Sequence, residues 1–167
     1  QVASFAKPKG NNTTLHQRRM EERNSLPMKP TKLIGHAGSL LDLLSLTLPK
    51  KDRVKCLFSG KFGIGKSTVA LSIAETICGG QWGITHTIGR NVTIHWVNRM
   101  IEEMQTSSLY GSGWKALVID EIDTSQRDAI DTLLYLLDTL PVQRAVIGTT
   151  NLPFDELPER FRSRFQR

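Results

Sequence analysis

An α/β fold with helices on both faces of a parallel sheet is predicted by three features of this sequence. Short apolar runs at residues 54–58, 114–119 and 145–148 alternate with segments whose apolar residues recur at helical spacing. Strands covered on both faces read this way, as nearly continuous hydrophobic stretches. The first run enters Gly60-Lys61-Phe62-Gly63-Ile64-Gly65-Lys66-Ser67, a G-x-x-x-x-G-K-S loop opening a helix. The second run ends on the carboxylates Asp120 and Glu121.

Taken in order, residues 1–25 lack hydrophobic periodicity and are expected to form a basic, flexible extension, with at most a short helix at 15–22. Pro27 and Pro30 impose an extended path. Leu33 and Ile34 are the first expected core residues. A helix beginning at Gly38 or Ser39 points Leu40, Leu41, Leu43 and Leu44 inward and stops at Pro49. After the loop, Val69, Ala70, Ile73, Ala74 and Ile77 mark a helix over 68–78 that Gly79 and Gly80 end.

Residues 82–86 read as loop and residues 87–88 as a short strand. Thr93 caps a helix with Val97, Met100, Ile101 and Met104 inward. Ser125 with Asp128 resembles a capping box, ahead of a helix that buries Ile130, Leu133, Leu134 and Leu137. Pro141 breaks that helix, and the third buried strand runs into Thr149, Thr150 and Asn151. No internal repeat is present.

Composition narrows the function. The apolar fraction of 39% is ample for a packed core in a chain of 167 residues. No signal peptide is visible, and no apolar run reaches the roughly 18 residues of a membrane span. The chain opens on Gln1, and a fragment or processed product is expected. Cys56 and Cys78 fall in a strand and a helix, as buried free thiols of a reducing compartment would. The net charge is +6, but residues 1–32 hold seven basic residues against Glu21 and Glu22, which leaves only +1 for the remaining 135. The basic balance therefore belongs to the amino-terminal stretch, as a solvated arm or a nucleic-acid arm. His16, His36, His86 and His95 lack metal-ligand spacing, and Trp82, Trp96 and Trp114 read as packing residues.

The chemistry gathers at the strand ends, where open parallel sheets hold their ligands. In the glycine-rich loop, backbone N–H groups and the helix N-terminus face an anion. Lys66 reaches the outer phosphates of a nucleotide, and the Ser67 hydroxyl holds Mg²⁺. Asp120 is the expected partner ligand of Mg²⁺, and Glu121 is placed to orient and polarise a water. Asn151 either reaches between phosphate and water or closes an ordinary Asx turn before Pro153, and the residues alone leave both readings open.

These motifs resemble the AAA+ ATPases, and within them the clamp-loader group, over residues 26–167. Asp120-Glu121-Ile122-Asp123 is similar to the family's D-E-x-D box, and Asn151 falls on its sensor 1. Pro27 precedes Ile34-Gly35 at the interval of the stretch that opens the family's nucleotide pocket. The segment Leu157-Pro158-Glu159-Arg160-Phe161-Arg162-Ser163-Arg164-Phe165 resembles the clamp-loader "Ser-Arg-Cys" segment, with Arg164 on the arginine that enters a neighbour's ATP site. Phe165 stands where that family has cysteine, and Lys61-Phe62 replaces its common Pro-Pro.

The resemblance implies a P-loop NTPase three-layer sandwich with a five-stranded parallel sheet. It implies ATP and Mg²⁺ as cofactors. The nucleotide contacts would be Pro27, Ile34, Gly35, Gly60, Lys61, Phe62, Gly63, Ile64, Gly65, Lys66, Ser67 and Thr68. Glu121, Asn151 and Arg164 would be catalytic. Arg160, Arg162, Arg164 and Arg167 could equally be one solvated basic face. The implied partners are neighbouring AAA+ subunits, primer-template DNA and a sliding clamp, with no membrane. The implied location is cytoplasmic and nucleoid-associated, or nuclear. The sequence stops at Arg167, ahead of the family's helical lid, second sensor arginine and collar domain.

Two classes of function follow: an ATP-driven DNA-remodelling subunit, most simply a clamp loader, or a nucleotide-bound structural subunit without turnover. Within the first, a Holliday-junction motor, an initiator or a transposition regulator shares the same core. The intact set Lys66, Ser67, Asp120, Glu121 and Asn151 favours turnover, since a subunit that never hydrolyses has no use for Glu121.

Overall fold

A computed structural model describes residues 53–108 and 111–165. Pro27, Ile34, Gly35, the extension over residues 1–25 and the helix expected at 38–48 lie outside the described residues. The chain alternates β1 (Val54–Ser59), α1 (Lys66–Cys78), β2 (Ile84–Ile88), α2 (Ile94–Gln105), β3 (Lys115–Asp120), α3 (Arg127–Asp138) and β4 (Arg144–Thr150), then a short α4 (Glu159–Arg162). The strands pair in parallel in the order β1-β4-β3-β2. The expected parallel sheet flanked by helices is therefore present, with four strands among the described residues.

Period-two alternation builds the three layers. Ala116 and Val118 of β3, with Ala145 and Ile147 of β4, turn to one face and bury against Ala70, Ile73, Ala74 and Ile77 of α1. Leu117 and Ile119 turn to the other, against Val97, Met100 and Met104 of α2 and Leu133, Leu136 and Leu137 of α3. Each of these side chains is nearly fully buried. Full burial of a valine, leucine, isoleucine or methionine among them contributes roughly 1.5–3 kcal/mol. Leu157, Phe161 and Phe165 close the second layer from the carboxyl-terminal side.

Most boundaries fall where the periodicity puts them, and α2 is capped as expected, the Thr93 Oγ1 accepting from the Trp96 N–H. Gly79 ends α1 in left-handed backbone. Three expectations are corrected. First, β2 begins at Ile84, inside the expected loop. It is an outer strand in the described sheet, with His86 exposed and the other side chains only partly buried, and its Ile-Thr-His-Thr-Ile sequence lacks the apolar run of a central strand. Second, Ser125 and Asp128 form no capping box. The Ser125 hydroxyl donates to the Ile122 carbonyl and closes the preceding 3-10 turn, so α3 starts from Gln126 without a side-chain cap. Third, Trp82 is 71% exposed, whereas Trp114 is buried and Trp96 packs against the core. Cys56 and Cys78 are buried and free, and burial pushes both thiols up to about 11.

Candidate nucleotide site

The adjacent strands β1, β4 and β3 end together, at Ser59, Thr150 and Asp120. The Gly60 N–H donates to the Thr150 carbonyl and the Ser59 hydroxyl to the Leu152 carbonyl, which ties the start of the glycine-rich loop to the end of β4. Gly65 has φ 86°, in the left-handed region that a side chain disfavours, and from it the chain turns into α1. The first residues of α1 are Lys66, Ser67 and Thr68, all half-buried, at the helix end where free N–H groups and the helix dipole favour an anion. The loop crest lies open to solvent, with Lys61 and Gly63 exposed, Phe62 85% exposed and Ile64 61% exposed.

Three side chains from three elements meet there. The Lys66 ammonium donates to the Gly60 carbonyl (2.8 Å), the Lys61 carbonyl (2.8 Å) and the Asn151 Oδ1 (2.9 Å). The Asn151 Nδ2 lies 3.5 Å from the Glu121 Oε1, at the outer limit of a hydrogen bond. Asn151 therefore spans from Lys66 to the glutamate just past β3.

Asp120 has both carboxylate oxygens engaged. Oδ1 accepts from the Thr149 hydroxyl at 2.9 Å, and Oδ2 lies 2.8 Å from the His86 Nε2 on β2. Glu121 sits at φ 51°, ψ 51°. Left-handed backbone costs a non-glycine residue about 1–2 kcal/mol. Neighbours hold it: the Glu121 N–H donates to the Thr149 hydroxyl (3.1 Å), and its carbonyl accepts from the Thr124 hydroxyl (2.7 Å). Gly89, just past β2, packs so close that a Cβ there would collide with the Glu121 carbonyl and the Thr124 hydroxyl. His86, Gly89 and Thr149 carry no motif, and sequence reasoning missed all three. Their roles depend on which strands become neighbours.

Arg164 is not brought to this site. Its Nε donates to both oxygens of Asp138 (2.8 and 2.9 Å), the last residue of α3, and its Nη1 donates to the Arg160 carbonyl. Together with Arg53, Lys55, Ser163 and Phe165 it lines an open cavity of about 250 Å³. Lys55 is the second residue of β1, so this cavity flanks the start of that strand, whereas the loop follows its end. Among the described residues, no helix is long and apolar enough to cross a membrane.

A glycine-rich loop between β1 and α1, with an acidic pair at the end of β3 on the far side of β4, defines a P-loop nucleotide-binding domain. The model of the AAA family, the ATPase family associated with various cellular activities, matches residues 56–167. That is more than half of the chain, and the chain belongs to this family of ATPases. It is 29% identical over 105 residues to a replication factor C large subunit of Methanocorpusculum labreanum, a match spanning 62% of this chain and 22% of that protein. In fold it is similar to a DNA polymerase III gamma subunit-related protein of Thermotoga maritima, with a TM-score of 0.66 at 16% identity over 77% of this chain and 44% of that one. The RuvB Holliday junction branch migration motor of the same organism gives 0.56 at 23% identity, over 76% and 42%. The two solved structures show the fold, and the replication factor C subunit is a relative in sequence. The chain spans less than half the length of each of these proteins.

Proposed function

We propose that this chain is the ATP-hydrolysing, Mg²⁺-dependent core of a DNA-replication machine, one subunit of an assembly that loads a sliding clamp on DNA. The observation that carries the hydrolytic reading is the bridge Lys66–Asn151–Glu121 beside Asp120. Residues 60–68 would cradle the phosphates through their N–H groups, and Lys66 would exchange its carbonyl partners for the outer phosphates. The Ser67 hydroxyl and the Asp120 carboxylate are hard oxygen donors of the kind Mg²⁺ takes. Bound there, Mg²⁺ would neutralise phosphate charge. Glu121 would accept the proton of the attacking water, and Asn151 would hold water and phosphate in register.

Arg164 would complete a neighbour's site, since its placement beside Asp138 and the start of β1 suits a role in trans. Pro27, Ile34 and Gly35 would flank the adenine. Residues 26–167 would be the ATPase core and residues 1–25 a basic extension. The fitting partners are neighbouring AAA subunits, primer-template DNA and a clamp, in the cytoplasm with the nucleoid or in the nucleus. A nucleotide-bound subunit without turnover, or another DNA-remodelling ATPase, is the competing reading.

The test is Glu121→Gln, which keeps the side-chain shape and removes the base. Single-turnover hydrolysis in the full-length assembly should stop while ATP binding persists. Unchanged hydrolysis would remove Glu121 from the mechanism. Stimulation of wild-type turnover by primer-template DNA plus a clamp would separate a loader from the other machines.

A further inference from the structure

We propose that Thr149 is a positioning residue, whose single hydroxyl fixes both the carboxylate that would bind the metal and the residue that would act as base. The inference rests on the reading of Asp120 and Glu121 given above. Thr149 is 2% exposed, and alternation along β4 turns it to the same face as Ile147, the α1 side. There its hydroxyl meets Asp120, the last residue of β3, and Glu121, the residue after it. It donates to the Asp120 Oδ1 at 2.9 Å and accepts from the Glu121 N–H at 3.1 Å.

The two bonds need opposite polarity, and a hydroxyl offers both at once, one proton and two lone pairs. An ionised carboxylate takes the proton, so the oxygen is left to face the N–H. The first bond fixes the Asp120 side chain, whose other oxygen is held by the His86 Nε2 at 2.8 Å. The second supports the left-handed backbone that aims Glu121 toward Asn151. Valine has the same branched shape and suits a buried strand equally well, so packing alone gives no reason for a hydroxyl here. Groups that orient a metal-binding carboxylate in this way change metal affinity or activity by about 10–100-fold when lost.

The experiment measures binding of a fluorescent ATP analogue to the whole chain, in EDTA and across a Mg²⁺ titration. It compares the wild type with Thr149→Val, Thr149→Ala and Thr149→Ser. Affinity in EDTA should be the same in all four. The Mg²⁺ concentration that half-restores tight binding should rise about 10-fold or more in Thr149→Val and Thr149→Ala, and stay near wild type in Thr149→Ser, which keeps the hydroxyl. If the valine variant does not fold, the alanine variant carries the comparison.

Three outcomes overturn the proposal. One is a Mg²⁺ requirement unchanged in the variants without a hydroxyl. Another is a serine variant as impaired as alanine, which would mean that the methyl and not the hydroxyl matters. The third is wild-type affinity that ignores Mg²⁺, which would remove the metal role of Asp120 and this inference with it. Lys66→Ala separates that case from a wrong nucleotide site, because it should lose binding even in EDTA if the loop is the site.

Discussion

The two ends of the sheet spend their basic side chains differently. At the amino-terminal end, Arg144 is 3% exposed and its guanidinium is consumed by protein acceptors. It donates to the Met104, Thr106 and Gln143 carbonyls at 2.7, 3.0 and 2.8 Å. Lys115 adds bonds to the Glu103 carbonyl and the Thr106 hydroxyl. Both cations sit on the carboxyl-terminal turn of α2, where free carbonyls and the helix dipole favour positive charge. Burial pulls the Arg144 pKa down. At the carboxyl-terminal end, Lys66 also donates to two carbonyls, but they belong to an exposed loop, and its third partner is Asn151. One end closes a helix. The other holds a cation where an incoming anion can take it over. Charge alone does not mark a site. What marks it is whether the charge's partners can be exchanged.

Lys66→Ala is the sharpest test of that contrast. It should abolish ATP binding in a calorimetric titration and shift the urea midpoint little, because two of its three partners, the Lys61 carbonyl and Asn151, are met in exposed contacts. Retained affinity would place the nucleotide elsewhere. A large loss of stability would make Lys66 another structural cation, and the difference between the two ends would disappear.

Arg164 stands between the cases, bonded to protein yet part of an open cavity. In full-length assemblies Arg164→Ala should bind ATP normally and lose roughly 10³-fold in hydrolysis, the scale of a trans arginine. Mixing it with Lys66→Ala subunits should recover turnover, since mixed interfaces pair an intact loop with an intact arginine. Demonstrated co-assembly without recovery would leave Arg164 as the Asp138 partner alone.

Arg144→Met keeps length and removes the donors. It leaves the buried Met104 carbonyl in the last turn of α2 and the Thr106 carbonyl just past it without their donor, and should cost about 3 kcal/mol in urea unfolding, with the nucleotide site unaffected. A loss below about 1 kcal/mol would mean water replaces the guanidinium.

The same division explains what the sequence could disclose. The loop at 60–67 and the acids at 120 and 121 were legible because motif spacing is local and each follows an apolar strand. The stripes of α1, α2 and α3 were legible because burial repeats at the helical period. Arg144 was not, because two of its acceptors, the Met104 and Thr106 carbonyls, lie 40 and 38 residues earlier and depend on where α2 stops. Thr149 and His86 were hidden for the same reason: each acquires its role from Asp120 on the next strand. The cap of α3 was misread because Ser125 had a competing carbonyl three residues before it.

The smallest expected effect belongs to Arg160, and it completes the series of burial. Its Nη1 meets the Asp131 Oδ1 at 2.6 Å, shorter than any contact of Arg144. Distance would rank this pair first. Burial ranks it last, because the side chains are 51% and 77% exposed. Two such groups in water gain little Coulomb energy, lose side-chain freedom and are screened by salt. The Arg160 carbonyl goes on accepting from Arg164 whatever the side chain, so Arg160→Ala removes the ion pair and leaves that turn intact. A double-mutant cycle of Arg160→Ala with Asp131→Ala should return a coupling of about 0.5 kcal/mol or less, shrinking further in high salt. A coupling above about 1.5 kcal/mol would show that distance, and not exchange with solvent, governs the basic side chains of this fold, and the contrast between the two ends of the sheet would need another cause.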